Sequence, residues 1–125
     1  RERLESGERS LIREKVRGDL SQISARTVGE AAGEGDPLAL EIIMQAGRYV
    51  GMGIASLMSL LNPEMFVIGG GVTKTGDLLF EPMREAAREY AMHPRYYEDA
   101  PIVRAHLGPD VGLYGAAALV RVMLE

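Results

Sequence analysis

The chain has 125 residues and a net charge of −4, which is one ordinary domain able to bury a core of its own. The acidic balance and the absence of any dense Lys/Arg run argue against a dedicated nucleic-acid surface. The absence of cysteine excludes disulfides and thiolate metal sites within the chain and fits a reducing, cytoplasmic setting. The longest apolar stretch, Met52 to Leu61, is too short to span a bilayer.

Ser6 to Val16 reads as a helix, with Ser6 as cap, Leu11, Ile12 and Val16 as an apolar stripe and Gly18 as its end. "DLSQIS" reads as a loop. "SARTVGEAA" is a short helix capped by Ser24 or Thr27 and closed by Gly33 and Gly35. The clearest helix follows. Asp36 is its N-cap and Pro37 fills the first helical position, where a missing N–H costs nothing. Leu38, Ile42, Ile43, Ala46, Val50, Ile54, Leu57, Met58 and Leu61 keep helical spacing until Asn62-Pro63 stops it. Gly47, Gly51 and Gly53 lie inside this helix, each at a cost of ~1 kcal/mol relative to alanine. Close packing against that face accounts for them more simply than a ligand does.

"MFVIGGG", Met65 to Gly71, reads as a strand without polar alternation, and hence one buried on both faces. Asp77 or Glu81 opens the next helix, with Pro82 in its first turn and Leu79, Met83, Ala86, Ala87 and Tyr90 facing inward. "MHPRYYEDA" reads as an exposed loop and Pro101 to Leu107 as a second strand. Asp110 caps a last helix, Val111 to about Leu124, in which Gly112 and Gly115 allow close packing. Strands alternate with helices, so the class is α/β or α+β. Two strands alone make a marginal sheet, which suggests part of something longer.

Most familiar sites are excluded. His93, before a proline, and His106, late in a strand, are too few and too poorly spaced for a histidine metal site. "GEGDPLALE" runs straight into a capped helix and does not make a calcium loop. The run "VIGGGVTKTGD" lacks the Gly-Lys-Ser/Thr of a P-loop. It also lacks the third glycine of a dinucleotide fingerprint, since position 74 is lysine. What remains is a strand ending in three glycines, whose free backbone N–H groups let a flat or anionic ligand approach the main chain. A tight strand-to-helix corner is the competing explanation, but one glycine would satisfy it.

The stretch "GIASLMSLLNPEMFVIGGGVTKTGDLLFEPMREA" and the tail "HLGPDVGLYGAAALV" resemble the C-terminal lobe of the ROK family (repressors, open reading frames and sugar kinases). "AAGEGDPLALEII" is similar to the family's segment before its long helix, and the resemblance runs from about Glu2 to Val120. It implies an α/β lobe of the actin-like, hexokinase-like ATPase fold (ribonuclease H-like), with residues 1–125 forming one domain and most of the C-terminal lobe. It further implies an ATP-dependent, glucokinase-like hexose kinase, or alternatively the effector-binding lobe of a sugar-responsive repressor.

Carried over residue by residue, the nucleotide-binding positions are Gly69, Gly70, Gly71, Val72 and Thr73, and the sugar-contacting position is Glu2. The family's catalytic Asp, its phosphate-binding turn and its zinc ligands find no counterpart, so catalytic residues are expected upstream of this chain. ATP and Mg would be bound jointly with a missing lobe. The expected partners are the sugar, ATP and a second copy in a homodimer, with no membrane and no direct nucleic-acid contact.

Overall fold

The computed structural model describes residues 1–108 and 111–124. Two short helices begin the chain, α1 (Glu2–Glu5) and α2 (Leu11–Lys15). The single helix expected from Ser6 to Val16 is therefore broken and displaced. Gly7 adopts φ +96°, a backbone state that ends α1, and the working cap is Ser10, whose hydroxyl accepts from Ile12 N at 3.1 Å. Gly18, at φ +82°, closes this region as expected.

Helix α3 (Ala25–Gly33) carries a reciprocal cap. Ser24 Oγ accepts from Thr27 N at 3.2 Å, and Ser24 N donates to Thr27 Oγ1 at 3.0 Å. Gly35, at φ +86°, turns the chain into α4 (Pro37–Leu61), and Asn62 ends that helix in the left-handed region ahead of Pro63. Asp36 caps α4 from a buried position. Its carboxylate accepts from Ala39 N at 2.9 Å and also from Leu11 N and Ser10 Oγ, both at 2.8 Å. One side chain thus fixes the starts of α2 and α4 together. Burial pushes the Asp36 carboxyl up, but these three donors outweigh it and hold the group below the usual carboxylate range.

Strand β1 (Phe66–Ile68) pairs in parallel with β2 (Ile102–Arg104), Phe66 opposite Ile102. Parallel neighbours need a crossover, and α5 (Asp77–Tyr90) with α6 (Pro94–Glu98) supplies it. The segment expected to be loop contains α6. Pro94 is preset for a first helical turn, His93 Nδ1 accepts from Arg95 N at 3.2 Å, and Tyr96 and Tyr97 pack against the core. β1 is not buried on both faces: Val67 is 59% exposed, because helices back only one side of the two-stranded sheet. Tyr90 is likewise exposed at the end of α5 rather than facing inward.

The most extensive contact joins α4 to α5. A methyl group at Gly47 would stand 2.5 Å from the Leu79 carbonyl oxygen, and one at Gly51 would run into the Met83 carbonyl oxygen. These two glycines answer to close packing, whereas Gly53 faces open space. The buried face of α4 is narrower than its apolar pattern, leaving Ile42, Val50, Leu57 and Leu61 exposed. The core centres on Leu4, Ile12, Met58 and Met83. Helix α7 (Val111–Leu124) follows, and nothing among the described residues lies within 4 Å of a methyl group built at Gly112 or Gly115. The expected cap Asp110 lies outside the described residues. The architecture is helix-rich α/β with a small parallel sheet.

Candidate functional site

The three glycines sit at the carboxyl end of β1, where open parallel sheets usually receive ligands. The chain leaves the strand at Gly69 and passes Gly70 at φ +105° and ψ +168°. It then winds a 3-10 turn, Gly71–Thr75, before Gly76 releases it into α5. Thr73 is buried and donates its hydroxyl to the Gly70 carbonyl at 2.7 Å. Thr75 closes the same kind of bond on Val72, also at 2.7 Å. The two threonines brace the turn from within.

The glycines differ in what the fold asks of them. Gly70 lies in a backbone region open essentially to glycine alone. Gly69 and Gly71 do not have positive φ. A methyl group at Gly69 would make an ordinary 3.6 Å contact with Ala105 Cβ, and one at Gly71 would meet nothing within 4 Å. Neither backbone conformation nor packing requires glycine at these two positions.

The turn forms one wall of a cleft of about 630 Å³, with Gly71, Val72, Lys74 and Thr75 on that side and Leu78 at its edge. The opposite wall is α3, through Ala25, Arg26, Gly29, Glu30 and Gly33. At Gly29 the walls approach closely: a methyl group there would stand 3.2 Å from Thr75 Cγ2. Arg26 Nε bonds Glu30 Oε1 at 3.0 Å along the rim. The cleft is thus largely apolar, with Arg26, Glu30 and Lys74 as its charged lining residues.

Of the five positions expected around a nucleotide, Gly71 and Val72 line this cleft. Gly69, Gly70 and the buried Thr73 are not among its lining residues. The sequence reading missed the α3 wall; the only cue was the Gly29 and Gly33 spacing on one helix face.

Glu2 is exposed at the start of α1 and borders a separate hollow of about 380 Å³, together with Ile12, Val28 and Ile42. The structure does not bring it into the glycine-turn cleft. Its neighbour Arg3 is engaged by Glu8 at 2.6 Å and Glu41 at 2.7 Å, an arrangement that joins α1 to α4. Among the described residues no three His, Asp or Glu side chains come together to hold a metal ion. No helix among them is long and apolar enough to cross a membrane.

Comparison with known proteins agrees with this architecture. The model of the ROK family matches residues 2–122. A glucokinase of Halalkalibacterium halodurans is 40% identical over 99 residues, which cover 79% of this chain and 30% of that protein. The DNA-binding transcriptional dual regulator NagC of Escherichia coli is 31% identical over 106 residues, 85% of this chain and 26% of its own. A ROK family glucokinase from Streptomyces griseus, solved in complex with glucose and AMPPNP, superimposes with a TM-score of 0.77 at 34% identity, over 87% of this chain and 35% of that one. The chain spans about a quarter to a third of the length of these relatives.

Proposed function

This chain belongs to the ROK family, and from that premise we propose that it is most of the C-terminal lobe of an ATP-dependent, glucokinase-like hexose kinase. In this reading the strand-end turn supplies the adenosine side of the nucleotide site. The observation that carries it is the pair of glycines, Gly69 and Gly71, that neither backbone conformation nor packing requires. Side chains absent without a structural reason, at the mouth of a largely apolar slot, fit a planar nucleoside pressed against the main chain.

Within this proposal the chain binds and orients; it does not abstract the proton. Val72 and Leu78 would meet the base, and the backbone at Gly71 would meet the sugar–phosphate side. Glu2 remains the proposed hexose contact, on a surface separate from the cleft. Activation of the hexose hydroxyl needs a carboxylate within hydrogen-bond reach, and that group would come from outside this lobe, as would the ligands of Mg bound with ATP. The resemblance to NagC favours a second reading, in which the lobe belongs to a sugar-responsive regulator and the slot is a relic.

Titrating the ¹⁵N-labelled chain with AMPPNP separates the two. Saturable shifts at Gly69 to Val72, lost in Gly71→Ala, support the kinase reading. No shift at millimolar AMPPNP overturns it in favour of the regulator.

A further inference from the structure

Polar side chains lining the cleft are accounted for one by one. Arg26 and Glu30 engage each other, and Thr75 is bonded to the Val72 carbonyl. Lys74 is the exception: it is exposed, and among the described residues no hydrogen bond or ion pair engages its ammonium group. It sits on the same 3-10 turn as Gly71, between two residues, Thr73 and Thr75, whose hydroxyls are tied back to the turn itself. The turn therefore fixes the backbone at Lys74, and its exposed side chain stands at the lining of a largely apolar cleft.

We propose that Lys74 reads the anionic tail of the ligand, so that the cleft prefers a nucleoside polyphosphate to the bare nucleoside. The proposal rests on the nucleotide reading given above and adds a specificity residue to it. An apolar slot alone takes the ring and ignores what the ring carries. A single free cation beside it adds attraction only for a ligand with negative charge reaching the mouth. Because the lysine is exposed, the gain is that of a solvent-screened ion pair, and it shrinks with added salt. Arg26 on the opposite wall is paired with Glu30, an exposed pair whose carboxylate offsets part of its charge towards an anion.

The test measures binding of AMPPNP and of adenosine to the wild-type chain and to Lys74→Ala and Lys74→Arg at low salt. Lys74 is exposed and has no partner to lose among the described residues, so both variants should fold as the wild type does. Lys74→Ala is expected to weaken AMPPNP about 2- to 5-fold and leave adenosine unchanged. Lys74→Arg should restore most of the loss, and the difference should fade in 0.5 M salt (roughly a 4 Å screening length). If AMPPNP binds and Lys74→Ala leaves it unchanged, or weakens adenosine equally, the role of Lys74 is wrong while the nucleotide site stands. If the wild type binds neither ligand, the nucleotide reading itself falls and this inference with it.

Discussion

Replacing Asp36 by alanine removes one acceptor from three donors that belong to different parts of the chain: Ala39 N in α4, and Leu11 N and Ser10 Oγ at the start of α2. Loss of an N-cap costs roughly 1 kcal/mol, and each further donor left without a partner in a partly buried place adds about 1 kcal/mol. The sum is about 2–4 kcal/mol, a large part of the 5–15 kcal/mol typical of a domain. Urea unfolding of the two proteins at pH 7 should show the midpoint falling by about 1–2 M, taking a slope of roughly 2 kcal/mol/M.

A pH series adds a signed control. The folded carboxyl of Asp36 is held below its unfolded value. Its contribution is therefore present above the unfolded value and lost as pH falls through the folded one. The gap between wild type and Asp36→Ala should narrow on acidification. A loss below 1 kcal/mol at pH 7, or a gap that widens towards acid, would refute the claim that this carboxylate joins α2 to α4.

Other expectations are independent of that one. Gly51→Ala should destabilise by about 1–3 kcal/mol through overpacking against α5, while Gly53→Ala, facing open space, should be neutral or stabilising by up to ~1 kcal/mol; equal effects in thermal unfolding would contradict the assigned packing. Gly70→Ala should cost about 1–3 kcal/mol from its backbone conformation, and Gly71→Ala no more than about 0.5 kcal/mol, so comparing their urea midpoints tests which glycine the turn requires. In a coupled assay with glucose and ATP the isolated chain should show no turnover, and measurable product would mean that the catalytic carboxylate lies within these residues.

Local signals were the legible ones. Asp36-Pro37, Ser24 and Asn62-Pro63 mark helix ends through side-chain chemistry within a few residues of the boundary, and the structure keeps all three. The break at Gly7 was missed because the apolar stripe of Leu11, Ile12 and Val16 looks the same whether or not the helix extends back to Ser6. α6 was missed because its loop-like composition hides one turn of helix behind Pro94.

At the candidate site, the glycine turn was visible because its residues are contiguous. The α3 wall was not, since Gly29 and Thr75 meet only through tertiary packing. Burial on both faces of β1 was over-read: an apolar strand says what it could bury, and the exposure of Val67 depends on which elements lie beside it.

The glycine seam between α4 and α5 has a mechanical consequence. Its two contact points are backbone against backbone, four residues or about 6 Å apart along the helix, with no flexible side chain to yield. Sliding α5 along α4 by one residue would drive a side chain into a carbonyl oxygen, so the pair behaves as a toothed rack with a single setting. The glycine turn is anchored to that rack through Gly76. Helix α3, the opposite wall of the cleft, packs against α4 as well, so both walls take their position from the same rack.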